Sequence, residues 1–317
     1  MRTGISAKTK RPYSARYIAD HINLSSRGGE SKKRGRGPTS AGPLASLLDL
    51  PLSELTPENI TAWLSKERQN RPTVTAHAYR LLRAFIKWAN YQKKYQGIIH
   101  GDLAQDHNVR KMVPVSASKA GDCLQKEQLK SWFSAVRSLN NPIASAYLQV
   151  LLLTGARREE IASLRWSDVD FKWSSMRIKD KIEGERTIPL TPYVSELLNA
   201  LAQFPNSDVN KEGWVFKSNS KSGKIIEPRS AHNRALVRAE LPHISLHGLR
   251  RSFGTLAEWV EVPTGIVAQI MGHKPSALAE KHYRRRPLDL LRKWHEKIET
   301  WILNEAGITI KNNVDMH

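Results

Sequence analysis

Most of the chain carries apolar residues at helical spacing, and short strand-like runs occupy only its middle, so the pattern predicts a mainly helical protein with a small antiparallel sheet. A first helix is announced by Thr56-Pro57-Glu58, a cap residue, a proline at the first helical position and an acid in the first turn, leading into Ile60, Trp63 and Leu64. A second is expected over Thr73 to Tyr95, with Tyr79, Leu82, Phe85, Ile86 and Ala89 as its buried stripe. Residues 111–121 have no hydrophobic period and mix Pro, Ser and Gly, which reads as a linker between domains.

Beyond the linker, helices are expected at about Lys126 to Ser138 and Pro142 to Leu153, then a turn at Thr154-Gly155 and a short helix from Arg157 to Leu164. Ser175 to Ile178 and Arg186 to Leu190 flank Glu183-Gly184 as a hairpin, and Trp214 to Phe216 reads as a third short strand. Thr191-Pro192 caps a helix running to about Phe204, and from Ser230 the pattern is helical almost to the end. After Pro287, the residues Leu288, Leu291, Trp294, Ile298, Trp301 and Ile302 form an amphipathic stripe that either completes the domain's own core or docks on a neighbouring subunit. The division expected is a basic flexible arm over 1–44, a helical domain over 45–110, the linker, a mixed α+β domain over 122–304 and a tail over 305–317.

Charge narrows the partner. A formal net charge of +20 and a pI near 10.1 suit a densely anionic ligand, nucleic acid first. An anionic membrane surface comes second, but the longest apolar run, around Val150 to Leu153, is too short to span a bilayer, and the first residues lack the apolar stretch of a secretory signal. Residues 1–40 hold ten Lys/Arg against Asp20 and Glu30. With Ser31-Lys32-Lys33-Arg34-Gly35-Arg36-Gly37-Pro38 too charged and Gly-rich for a core, they read as a mobile basic arm or a solvated tail. Arg80, Arg83 and Lys87, between the apolar positions of the second helix, are candidates for DNA phosphates or simply its wet face. Cys123 is the only cysteine, which excludes an internal disulfide or a cysteine-rich metal site and fits a reducing cytoplasm.

Four motifs carry candidate chemistry. In Thr154-Gly155-Ala156-Arg157, a tight glycine turn delivers an arginine to a helix start, where backbone N–H groups also favour an anion and the guanidinium can clamp a phosphate with two donors. His247 and Arg250 are spaced i, i+3 and share a helix face. In Met271-Gly272-His273, glycine ends a helix and the histidine follows it. Tyr283 lies inside the basic run Lys281-His282-Tyr283-Arg284-Arg285-Arg286. Each alone has a bland structural reading; their order and spacing carry the argument, with ninety residues from Arg157 to His247 and ten from His273 to Tyr283.

That ordered set resembles the tyrosine recombinases, and the Gly272 to Tyr283 stretch resembles those of phage and genomic-island integrases in particular. The resemblance covers residues 123–304 well and residues 45–110 more loosely, as the family's helical core-binding domain ahead of its mixed α+β catalytic domain. It implies that Tyr283 is the nucleophile, that Arg157 and Arg250 hold the scissile phosphate, that His247 assists proton transfer at the tyrosine hydroxyl, and that His273 adds a hydrogen bond to the phosphate. It places the family's hairpin lysine at Lys181, eight residues before Pro189, with Lys179 as the competing choice, and gives Glu160 a supporting role. The activity implied is DNA cleavage and rejoining through a 3′-phosphotyrosine, without metal, cofactor or ATP, to integrate and excise a mobile element. The partners implied are double-stranded attachment sites, a homotetramer assembled on two duplexes and an accessory DNA-bending protein, at the nucleoid in a bacterial cytoplasm. Two other readings share the sequence: a type IB topoisomerase-like enzyme, and a DNA-binding regulator that kept the fold without the chemistry.

Overall fold

The computed structural model describes residues 4–5, 10–32, 35–95, 97–99, 101–115, 121–180, 184–204, 213–273 and 286–309. Its packing divides the chain into two units, Met1–Ser118 and Lys119–His317.

In the first unit, α1 (Ala15–Ser25), α2 (Pro57–Asn70), α3 (Pro72–Asn90) and α4 (His107–Met112) are joined by short 3-10 turns. Thr56 caps α2 by accepting from Asn59 N at 3.3 Å, and Pro57 supplies the first helical position. Ile60 and Leu64 are fully buried against Ala78, Ile86 and Ala89 of α3 and Val109 of α4. Trp63 buries its ring and donates Nε1–H to Pro43 O at 2.6 Å, so the indole is both packed and satisfied. Phe85, expected inside, is half-buried. The second helix ends at Asn90, five residues short of the expectation, because Tyr91 and Gln92 turn their N–H groups back to Trp88 and Ala89 in tighter turns and a 3-10 turn covers Lys93–Tyr95.

The segment read as a flexible arm contains α1. Ser14 caps it by accepting from Tyr17 N at 3.2 Å, and the chain that leaves it is held by Leu44 N to Leu24 O at 2.9 Å and Gly42 N to Ser26 O at 2.8 Å. A β-carbon at Gly42 would lie 2.4 Å from Leu24 O, which is why this crossing takes glycine. Tyr17, Ile18 and Ile22 line one groove with Leu81, Leu82 and Phe85 of α3. Their helical spacing was hidden by the density of Lys and Arg on either side.

The second unit is built around α6 (Pro142–Thr154), whose residues from Ala144 onward are all buried. Around it pack α5 (Leu129–Arg137), α7 (Arg158–Ala162), α8 (Pro192–Ala202), α9 (Arg229–Arg238), α10 (Leu246–Ala257), α11 (Thr264–Met271) and α12 (Leu288–Glu305). Burying one Leu side chain contributes about 2 kcal/mol, so the run Leu148 to Leu153, nearly free of exposure, makes α6 a large apolar contributor to this core. The sheet is β1 (Val169–Asp170), β2 (Ser175–Asp180) and β3 (Gly184–Pro189), antiparallel in that order.

The hairpin lies where alternation predicts it, but the third strand does not. Trp214 makes one isolated bridge to Arg165 and Val215 N bonds Leu164 O at 3.0 Å, after which Phe216 O accepts from Ile225 N. The segment buries Val215 and Phe216 through a turn, and the sheet's third strand is instead the two-residue β1.

The stripe of α12 is covered by its own domain: Ile298, Ile302 and Leu303 are fully buried, and Leu291 nearly so. Two polar groups lock this docking. His295 bonds through Nε2 to Leu153 O at 2.8 Å, and Glu299 accepts from Thr191 Oγ1, from Tyr193 N at 2.9 Å and from Val194 N at 3.3 Å, capping α8 from outside. Packing also continues past Asn304, since Ala306 is buried and Ile308 lies against the core. No helix among the described residues is long and apolar enough to cross a membrane.

Candidate active site

Arg157 stands where α6 stops. Gly155 ends that helix at φ +57°, and a β-carbon there would lie 2.5 Å from Phe253 Cδ1, so both backbone and space require glycine. Two residues later Arg157 caps α7. Its backbone N–H and its Nη1 both go to the Glu160 carboxylate, at 2.8 and 2.7 Å, which orients the guanidinium from one turn ahead.

His247 and Arg250 rise from the first turns of α10. Ser245 caps this helix by accepting from Gly248 N at 3.0 Å, and Asp122 fixes Ser245 in turn through its N–H and its hydroxyl, both at 2.7 Å. Arg251 closes on the same Asp122 carboxylate. Arg250 is 4% exposed, and its Nη1 donates to Gly155 O at 2.7 Å and to Met271 O at 2.8 Å.

The third contribution comes from the end of α11. Gly272, at φ +71°, lets the chain turn so that His273 N returns to Ala268 O at 2.8 Å. Three successive carbonyls at this helix end each accept from a different guanidinium: Ile270 O from Arg186 Nε at 3.1 Å, Met271 O from Arg250, and Gly272 O from Arg157 Nη2 at 3.1 Å. The partial negative charge of a helix C-terminus suits that arrangement. The motifs with Arg157, His247, Arg250 and His273 thereby line one cleft of about 620 Å³, with Asp122 and Arg251 beside them.

Both cleft histidines are held below the usual imidazole pKa. For His247 the cause is burial first, then the positive charges of Arg251, Arg250 and Arg157, with Asp122 opposing. For His273 it is burial, then Arg250, Arg157, Arg186 and His247. At neutral pH each imidazole is therefore uncharged and able to accept a proton. The arrangement offers guanidinium donors for an anion and a neutral base next to them. Among the described residues, no group of three His, Cys, Asp or Glu side chains could hold a metal ion.

Lys181 and Tyr283 lie outside the described residues. Lys179 is ion-paired: its ammonium sits 2.8 Å from Asp168, a carboxylate 1% exposed that also binds Arg177. Glu160, 6% exposed, accepts from Arg157 and Arg186 together. Arg80, Arg83 and Lys87 are exposed on α3 of the first unit. Asp122 and Arg186 are absent from the motif-based reading. A signal for Arg186 exists, since alternation along β3 puts it on the apolar face of the hairpin; Asp122 has none, because its partners are more than 120 residues away.

The phage integrase core-binding domain family matches residues 5–111, a span that includes α1, and the phage integrase family matches residues 122–287. A prophage integrase of Escherichia coli strain K12 is 95% identical over all of this chain, which spans 68% of that relative's length. An integrase described as belonging to prophage phiRv2 of Mycobacterium tuberculosis is 22% identical over 75% of the chain, which spans 65% of that relative. Among solved structures, a lambda integrase dimer bound to a COC′ core site superposes with a TM-score of 0.59 at 16% identity, covering 90% of this chain and 93% of the other. A lambda integrase tetramer bound to a Holliday junction gives 0.57 at 15% identity, covering 90% and 75%. With the phage integrase family matching over half of its residues and a prophage integrase nearly identical along its whole length, the chain belongs to the phage integrase family and is a tyrosine-type site-specific recombinase.

Proposed function

We propose that this integrase cleaves and rejoins double-stranded attachment sites through a 3′-phosphotyrosine at Tyr283, with the cleft of Arg157, His247, Arg250 and His273 as the site of phosphoryl transfer. The observation that carries the proposal is the convergence of these four side chains, drawn from three separate helix ends, on one cleft. Attack by the tyrosine hydroxyl builds negative charge on the non-bridging oxygens, and guanidinium groups already fixed by protein carbonyls stabilise that charge more than the ground state. Neutral His247 takes the phenol proton as the Oη–P bond forms. His273 donates a hydrogen bond to the phosphate, and Lys181 gives a proton to the departing 5′ oxygen. The phosphotyrosine keeps the phosphoester energy, so a 5′ hydroxyl from another strand reverses the step: it attacks the phosphorus and gives its proton to Lys181, while His247 returns the phenol proton to the departing Tyr283 oxygen.

In this proposal residues 122–304 form the catalytic domain, residues 45–110 with α1 grip the core site with Arg80, Arg83 and Lys87 against phosphates, and residues 111–121 link the two. Two duplexes are held by a homotetramer, aided by an accessory bending protein, at the nucleoid in the host cytoplasm. The test is incubation with a nicked duplex carrying the attachment core of its element, followed by denaturation. A covalent protein–DNA adduct is expected that survives chelator and disappears in Tyr283→Phe; tight binding to that duplex without an adduct would mark a regulator that kept only the fold. Binding should also weaken steeply with salt, as counterions are released from the neutralised phosphates.

A further inference from the structure

On β3, Arg186 occupies a position whose neighbours are apolar. The register pairs it with Ile178 of β2, cross-strand partners share a face, and Met176, Ile178 and Ile188 on that face are fully buried. A guanidinium whose side chain is 16% exposed needs a full set of acceptors there. It has three: Nη1 and Nη2 meet the two oxygens of Glu160 at 3.1 and 2.8 Å, and Nε meets Ile270 O at 3.1 Å. The fork is bidentate, the geometry in which an arginine fixes a carboxylate in orientation as well as in place.

Glu160 thus has two guanidinium partners with different outlooks. Arg157 lines the cleft, whereas Arg186 reaches the carboxylate from the sheet side. Arg186 also lies flat against the turn before His273: a β-carbon at Gly272 would fall 2.6 Å from its Cζ. One side chain therefore touches both supports of the site, the carboxylate that aims Arg157 and the turn that carries His273.

We infer that Arg186 is a positioning residue for strand cleavage: it sets Arg157 through Glu160, and His273 through Ile270 and Gly272, without contacting DNA. The inference rests on the phosphotyrosine reading above. A displaced phosphate clamp costs rate far more than affinity, because the many phosphate contacts that hold the duplex are unaffected.

The experiment compares the native chain with Arg186→Met, Arg186→Lys and Arg186→Ala. Affinity for the nicked attachment-core duplex, the single-turnover rate of adduct formation and thermal unfolding are measured for each. Arg186→Met should bind the duplex like the native chain and form adduct about 10²-fold more slowly. Arg186→Lys, which keeps the charge and loses the fork, should fall between them. Millimolar guanidinium ion should restore rate to Arg186→Ala by occupying the vacated site, an effect that a general loss of folding would not show. A folded Arg186→Met with the native rate overturns the inference, as does a loss of rate matched by an equal loss of DNA affinity. If Arg186→Met does not fold, a native rate in Arg186→Lys overturns it equally. Absence of adduct from the native chain would instead remove the phosphotyrosine reading, and the inference with it.

Discussion

The Glu299→Gln substitution should change the pH dependence of stability of the second unit in a calculable way. Glu299 is 1% exposed on α12 and accepts from Thr191, Tyr193 and Val194 at the start of α8. Burial pushes its carboxyl from an ordinary 4.5 up to about 7, against the opposing pull of those three donors. Between these two values the folded state binds more protons than the unfolded one, so stability is highest below pH 4.5 and is lost as pH rises toward 7. Two and a half pH decades at about 1.4 kcal/mol each come to about 3 kcal/mol. For a unit of this size that is roughly 6–12 °C in melting temperature. Glutamine has no such titration, so the native-minus-variant difference isolates this one group. His295, one turn away and pushed down to about 4 by burial, stays neutral across the window. The assay is differential scanning calorimetry of both proteins at pH 5 to 8. Expected is a difference that shifts against the native chain as pH rises and levels off beyond 7; parallel curves would refute the reasoning.

Gly155→Ala should cost about 3 kcal/mol, from the left-handed backbone together with the clash on Phe253, and appear as a lowered melting temperature with slower adduct formation. Lys181→Met should slow cleavage by about 10² to 10⁴-fold while Lys179→Met, whose ammonium is bound to Asp168, cleaves normally. A substrate with sulfur at the 5′ bridging position needs no proton on departure and should rescue the Lys181 variant alone; the opposite ranking would make Lys179 the acid. Because His247 titrates below its ordinary range, the rate of adduct formation should hold as pH falls through 6.5 and drop only below it, and Asp122→Asn, which removes the opposing carboxylate, should move that limb lower still. A limb at or above 6.5 would contradict the assignment.

Much of this was legible along the chain because it is local. The Thr56-Pro57 start of α2, the spacing of apolar residues in α3 and α12, and the hairpin alternation all act within a few residues. Arg157, His247, Arg250 and His273 stand out in the sequence by order and spacing, yet their convergence on one cleft does not, since Arg250 reaches Gly155 across 95 positions and Arg186 reaches Ile270 across 84. α1 was missed because charge outweighs period in its neighbourhood, and the third strand because the burial of Val215 and Phe216 mimics one. Lys179 and Lys181 look alike in sequence; the ion pair of Lys179 with the buried Asp168 joins residues eleven positions apart and is not readable from the pattern.

The three arginines gathered on the end of α11 bear on how such a chain can change over time. Each residue added to a helix rotates everything beyond it by about 100° and advances it by about 1.5 Å. Point substitutions along the outer face of α11 leave the carbonyls of Ile270, Met271 and Gly272 where they are. One inserted or deleted residue would turn all three away from Arg186, Arg250 and Arg157 together. Among related integrases, then, this helix should drift freely in composition while its length stays constant, and variation in length should fall outside Thr264 to Gly272.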